Sequence, residues 1–316
     1  MQGHVSILSV SPEAAAMIAS GGRISTMDGT ADEIYANSLS AGQEKNEKLI
    51  GKVLSSGHTS VLEHCYVNLS FENVSVLAEQ FLIEFRLASF TVKSRRYVDF
   101  SKAGYVSPVF TDNVQMAIFE RTVESLFGTY DVLEAAGVPK EDARFVLPYC
   151  FCSNFFCSMN ARELVHVMNE LTYGRGSGIP ELRALGESMF AQCEQQIPFL
   201  AVRKPEAYRQ PDAFCLRQVQ LLTSKAPVTV LAAPQDAEGL ICGAYRLARG
   251  NVPQPLTKPE QTALLKALLA QPRKRELEQA SYTLLFGGLS LAALTHLTRH
   301  RMQALCAPNL LKSARY

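Results

Sequence analysis

The chain has 316 residues, 47% hydrophobic and 19% charged, with a formal net charge of +1 at pH 7. The length predicts two domains and the composition an ordinary globular protein, while so small a net charge provides no basic field for general nucleic-acid binding, leaving any anion recognition local. No apolar run approaches the roughly 18 residues needed to span a bilayer, and Met1 to Leu8 has no basic region ahead of an apolar core, so the expected location is the cytoplasm, without a membrane partner.

Val5 to Val10 alternate and predict a strand, Pro12 to Ile18 a helix, and Gly21-Gly22 a turn. Residues 43–56 have helical spacing and stop at Gly57. Val67, Leu69 and Phe71 alternate as a half-buried strand does, and Val74 to Phe85 return to helical spacing. Long amphipathic helices are expected over 114–136 and 159–196, with breaks at Pro148 and at Gly174 to Gly178. Residues 201–212 read as a polar linker, and a second unit opens on the apolar alternation Val219 to Leu222. Gly239 to Leu247 is similar to Ala15 to Ile24. Eight cysteines are scattered among apolar neighbours and predict reduced, buried thiols. Cys150, Cys152 and Cys157 lack a fourth ligand at zinc-finger spacing, which favours core packing over a metal site.

The second unit repeats part of the first. Residues 53–86 align with 268–301 at a constant offset of 215 without a gap, sharing Leu54/Leu269, Leu62/Leu277, Glu63/Glu278, Leu69/Leu284, Phe71/Phe286, Ser75/Ser290, Ala78/Ala293, Leu82/Leu297 and Arg86/Arg301. After four extra residues in the second copy, both run into Lys-Ser-x-Arg-Tyr, at Lys93–Tyr97 and Lys312–Tyr316. The expected organisation is a complete domain over 1–200, a linker over 201–212 and a partial second copy over 213–316.

Several motifs recur in order. His58-Thr59-Ser60-Val61-Leu62-Glu63-His64 is followed by Glu84-Phe85-Arg86-Leu87-Ala88-Ser89, then Ser94-Arg95-Arg96-Tyr97. Downstream come Ala143-Arg144-Phe145-Val146-Leu147-Pro148, Asn160-Ala161-Arg162-Glu163-Leu164 and Pro180-Glu181-Leu182-Arg183. Together they resemble the flavin-dependent thymidylate synthase family, whose signature is Arg-His-Arg-x-x-Ser followed by Ser-x-Arg-Tyr. The resemblance implies an α+β fold with an antiparallel sheet packed against long helices, here as two tandem copies of which the second is truncated. It implies methylation at C5 of dUMP or a related pyrimidine nucleotide, with FAD as cofactor and NADPH and methylenetetrahydrofolate as cosubstrates. No protein nucleophile and no metal are expected.

Carried over position by position, the family pattern assigns Ser94, Arg96, Arg144 and Arg299 to the nucleotide, and His58, Ser60, Asn160, Arg299, His300 and Arg301 to the flavin. Each has a plainer reading: a solvated helix C-terminus for Arg299 to Arg301, a local helix cap for His58, surface ion pairs for Arg96 and Arg144. Glu63, His64 and His296 read as structural.

The chain also departs from the pattern. Glu84 reverses a charge where the family has arginine, Phe85 replaces the histidine, and Val92 stands where a polar residue is usual. The arginine expected after the Asn160 helix is out of register; Leu171 lies near that column, and Arg175 is the nearest candidate. In the second copy the His58 and Ser60 columns are Arg273 and Arg275. Because the losses do not overlap, complementary composite sites are expected, in a homodimer that forms a pseudo-tetramer of family domains. The rival expectation is a non-catalytic nucleotide- or flavin-binding scaffold of the same fold.

Overall fold

Four strands, β1 (His4–Val10), β2 (Tyr66–Ser75), β3 (Ala88–Val92) and β4 (Cys152–Asn160), form an antiparallel sheet in the order β1-β2-β4-β3. The computed structural model describes residues 3–208, 226–251, 255–300 and 303–306. The sheet belongs to the first of two units, Met1–Phe214 with Thr295–Tyr316; the second is Cys215–Leu294. Around the sheet stand the helices α1 (Ala14–Arg23), α2 (Ala31–Ala41), α3 (Gln43–Ser55), α4 (Val76–Ile83), α5 (Asn113–Ala135), α6 (Lys140–Ala143), α7 (Ala161–Thr172) and α8 (Pro180–Gln196). The fold is α+β.

Strand alternation buries Val67, Leu69 and Phe71 of β2 while Tyr66 and Asn68 face outward. Phe71 stacks on Phe155 of β4 with ring centroids 4.7 Å apart. Gln192 of α8 seals the β1 edge: its amide donates to the Val5 carbonyl at 2.7 Å and accepts from the Ile7 N–H at 2.9 Å. An edge strand tied down in this way cannot template pairing with another chain.

Several boundaries differ from the sequence expectations. α1 runs through Gly21-Gly22 rather than turning there. A Cβ on Gly21 would come within 3.2 Å of the His64 ring, and one on Gly22 within 3.2 Å of Val53, so these glycines admit close helix packing. Helix α4 starts after Ser75, whose hydroxyl caps it by accepting from the Ala78 N–H at 3.0 Å. The segment 159–196 divides into β4's end, α7 and α8. Asn160 closes the strand and caps α7, accepting from the Glu163 N–H at 2.8 Å. Strands β3 and β4 were not legible as strands, since the Phe- and Cys-rich run of β4 reads equally as buried helix. Cys152 and Cys157 lie five residues apart on β4, an odd spacing that places them on opposite faces. Burial raises the thiol of Cys65 to about 11, and that of Cys193 to about 12, so neither is an activated nucleophile.

The second unit contains β5 (Val228–Ala232), α9 (Ala237–Leu247), α10 (Lys258–Leu269), a 3₁₀ turn (Arg275–Gln279), β6 (Thr283–Phe286) and the start of α11 (Leu291–Thr298). From Thr295 onward, α11 belongs to the first unit. The expected strand Val219 to Leu222 and residues 209–212 of the linker lie outside the described residues.

Elements recur with the sequence offset: α3 and α10 begin at 43 and 258, the 3₁₀ turns Ser60–His64 and Arg275–Gln279 at 60 and 275, α4 and α11 at 76 and 291. The hairpins match in register as well. β1 pairs Ile7 with Leu69 and slips before Ser9 with Asn68; β5 pairs Val230 with Leu284 and slips before Ala232 with Thr283. Burial does not match. Val5, Leu69 and Phe71 are at most 2% exposed, whereas Val228, Leu284 and Phe286 are 49%, 42% and 37% exposed.

Candidate functional site

Strand register divides the first unit's motifs between two ends of the sheet. Val67 and Ala88 both pair with Met159, and Phe71 and Val92 both pair with Phe155, so β2 and β3 run the same way. Between them the chain returns from Ser75, opposite Cys152, to the level of Met159, about 23 Å at roughly 3.3 Å per residue. Glu84 to Arg86 therefore lie at the end of the sheet that holds Tyr66, Asn160 and the loop of His58 and Ser60. Ser94 to Arg96 emerge from β3 at the opposite end, where the Lys93 N–H donates to the Asn154 carbonyl at 3.0 Å.

At that second end a cationic cluster forms. Arg144, at the C-terminus of α6, donates from Nη2 to Nε2 of His296 at 3.2 Å. A guanidinium has no acceptor, so His296 Nε2 is unprotonated there and the imidazole is neutral. Burial and the adjacent Arg95, Arg96 and Arg299 lower the pKa of Arg144. Partial desolvation, then Arg144, Arg299, Arg96 and Arg95, hold that of His296 below the ordinary imidazole value. Four guanidiniums thus face one another with Glu79 and Glu141 as their carboxylate partners: Arg95 and Arg299 pair with Glu79, and Arg96 meets Glu141 at 3.3 Å on the surface. Ser94 Oγ accepts from the Arg96 N–H at 3.2 Å and shapes the loop. Such a concentration of positive charge suits an anion.

The end of α11 is held in this cluster by side chains of the same unit. Thr298 Oγ1 accepts from Gln80 Nε2 at 2.7 Å, and the hydroxyls of Thr295 and Tyr149 share a hydrogen bond at 2.6 Å. A cavity of about 180 Å³ runs alongside β3, lined by Phe85, Ala88, Phe90 and Val92 with Arg86 and Arg299 at its margins. Ser94, Arg96, Arg144 and Arg299 are therefore brought together. His300 is exposed beside them, and Arg301 lies outside the described residues.

His58, Ser60 and Asn160 occupy the other end. His58 and Ser60 are exposed, and Asn160 Oδ1 is engaged in capping α7. Here the reversed charge has a partner: Glu84 accepts from Arg175 at 2.9 Å, and Arg175 stacks over Phe81 at 5.1 Å. Phe85 is buried edge-on between Phe81 and His166. Glu63, expected to be structural, pairs with Arg162. Sequence reasoning missed Glu79, Gln80 and Arg95. Charged and amide residues inside the otherwise apolar helix Val76–Ile83 were the available signal, since such groups enter a core only when paired.

Depressed basicity at His296 has a consequence for stability. Its folded pKa lies below the unfolded value near 6.5, so the unfolded chain takes the proton first as pH falls. Stability is complete above about pH 6.5 and declines with acidification below it. His296→Gln is expected to flatten that slope, and inorganic phosphate to reduce it in the unaltered protein, as read from thermal melts between about pH 5 and 7. An equal slope in both proteins would count against a neutral imidazole here.

Comparison with known proteins bears on the family and the fold. Residues 6–199 match the model of the family described as thymidylate synthase complementing protein. A flavin-dependent thymidylate synthase of Nitratidesulfovibrio vulgaris is 31% identical over 209 residues, 62% of this chain and 84% of that one. The enzyme of that name from Geobacter sulfurreducens is 33% identical over 189 residues, 58% of this chain and 79% of the relative. The crystal structure of a UMP/dUMP methylase from Streptomyces cacaoi, bound with 5-Br dUMP, superposes with a TM-score of 0.53 at 22% identity, covering 63% of this chain and 93% of that one; at that identity the likeness is one of fold. With its motifs in order, its sheet and helices in place and most of its length matched, the chain belongs to the thymidylate synthase complementing protein family.

Proposed function

We propose that this protein is a flavin-dependent methylase acting at C5 of dUMP or a closely related pyrimidine nucleotide. The observation that carries the reading is the cluster of Ser94, Arg96 and Arg144 with Arg299, a residue of the second repeat's motif. Guanidinium forks bind a phosphate bidentately and keep their charge at any working pH. The cavity beside β3, lined by apolar side chains together with Arg86, Thr298 and Arg299, suits a planar ring that carries carbonyl oxygens.

The residues present also suit a flavin. Arg299 and His300 would hold it at one end and His58 and Ser60 at the other, with Asn160 offering its amide N–H groups. The bound flavin supplies the electrons that complete the new methyl group, with methylenetetrahydrofolate as carbon source and NADPH as reductant. For the chain's own part, Arg96, Arg144 and Arg299 bind and orient the phosphate, and Ser94 shapes their loop. Neutral His296 can accept a proton at Nε2 when an anion draws Arg144 away.

In the same reading, residues 213–316 are a partial tandem copy of the first domain, as the matched elements and hairpin register support. Two chains would then form a pseudo-tetramer. The exposed apolar face of Val228, Leu284 and Phe286, buried in the corresponding strands of the first unit, supports a second copy as its cover.

One observation favours the scaffold reading instead. The Glu84–Arg175 pair and the buried Phe85 occupy the first unit's Arg-His-Arg columns with internal contacts. Absorbance of the purified protein after FAD addition and desalting separates the two. Retained flavin bands near one per chain or one per two chains, with dUMP-dependent methyl transfer, are expected of the enzyme. A folded protein that retains no flavin and turns over no nucleotide would leave the scaffold.

A further inference from the structure

Glu79 is a wholly buried acid to which no motif assigns a role. Its Oε2 accepts from Arg95 and from the buried hydroxyl of Ser153, and its Oε1 accepts from Arg299 Nη2 at 3.2 Å. One carboxylate thus ties the loop after β3 to a helix end 220 residues away in sequence. Arg95 is only 9% exposed, its guanidinium lies 5.3 Å from the Phe151 ring, and its Nε has no hydrogen-bond partner among the described residues. The arrangement leaves a buried donor still to be satisfied beside the cationic cluster, where a buried polar group without a partner calls for an explanation.

The repeat supplies a second, independent observation. At the offset of 215, Leu294 takes the place of Glu79, and after the four extra residues of the second copy Ala314 takes the place of Arg95 in Ser-x-Arg-Tyr. Acid and base are absent together from the second copy and present together in the copy whose loop meets the cluster. A guanidinium held along one edge by a buried carboxylate keeps its remaining N–H groups fixed in direction, and donors fixed beforehand lose no freedom when an anion arrives. Glu79 also lowers the mutual repulsion of Arg95 and Arg299, which would otherwise drive the exposed Arg299 side chain outward.

We propose that Glu79 is a positioning residue that sets Arg95 and Arg299 as preorganised donors to the phosphate of the nucleotide. This rests on the nucleotide reading above. The experiment measures binding of dUMP and of deoxyuridine by calorimetry in the full chain, comparing wild type, Arg95→Ala, the double variant Glu79→Leu/Arg95→Ala and Glu79→Asp. The double variant carries the second copy's own residues and leaves no unpaired buried charge at the pair, so it is expected to fold, as thermal melts would verify. Relative to Arg95→Ala alone it should bind dUMP about tenfold more weakly while deoxyuridine binding stays unchanged. Glu79→Asp should recover part of that loss. Equal dUMP affinity in Arg95→Ala and the double variant would overturn the proposal, as would parallel loss of dUMP and deoxyuridine. Failure of the wild-type chain to bind dUMP is a different result: it removes the nucleotide reading itself, and this inference with it.

Discussion

Arg299→Ala is expected to weaken dUMP binding by about 10- to 100-fold, the loss that follows from removing one charge-assisted hydrogen-bond donor worth roughly 1.5–3 kcal/mol. The Arg299 side chain is about two-fifths exposed, so physiological salt should bring the effect toward the lower figure and low salt toward the upper. The substitution also takes one partner from Glu79, whose other oxygen still accepts from Arg95 and Ser153, so the unit should remain folded. Arg144→Ala should act in the same direction. The double variant should lose less than the product of the two single losses, because both guanidiniums would serve one phosphate. Arg249→Ala is the control, being paired with Glu276 within the second unit. Flavin retention is a second readout: if Arg299→Ala kept its flavin unaltered, the composite site assembled from both repeats would have to be abandoned.

Phe71→Ala and Phe286→Ala test the repeat as a matched pair. Phe71 is fully buried, stacked on Phe155 in the first unit's sheet, and truncating such a ring costs about 3–5 kcal/mol. For a unit of this size that corresponds to a fall of roughly 10 °C in Tm. Phe286 stands at the 215-residue offset from Phe71 but remains 37% exposed. Its removal should cost the isolated chain within about 1 kcal/mol. If a second copy covers that face, Phe286→Asp should shift the protein from dimer to monomer in light scattering, with little change in the melting of the first unit. A Phe286→Ala variant as destabilised as Phe71→Ala would show that the second unit's hairpin is packed within the single chain.

Much of this was legible in the sequence because it depended on local pattern. Alternation gave β1 and β2, helical spacing gave α3 and α5, and Gly174 to Gly178 separated α7 from α8. The constant offset of 215 aligned the segments that hold the second 3₁₀ turn, β6 and α11 with the 3₁₀ turn, β2 and α4 of the first unit. What stayed hidden depended on contacts distant in sequence. Phe90 and Phe155 mark β3 and β4 only once the two strands pair. Glu84 read as a charge opposed to anion binding, and Arg175, which read as merely out of register, is its partner. The cationic motifs gave no sign that Ser94 to Arg96 and Glu84 to Arg86 lie at opposite ends of one sheet. Strand direction fixes that, and it is a property of pairing rather than of any single segment.

The return of α11 to the first unit sets an order of events during synthesis. Glu79 leaves the ribosome 220 residues ahead of Arg299, a lag of about 10–45 s at roughly 5–20 residues per second. The sheet, its helices and the Glu79–Arg95 pair all precede the segment that completes the cationic cluster. Once Gln196 of α8 has emerged, the nascent first unit can stand as a folded but unfinished receptor over the roughly 100 residues, about 5–20 s, that precede Arg299. Nucleotide affinity would be acquired in one late step rather than growing with the chain.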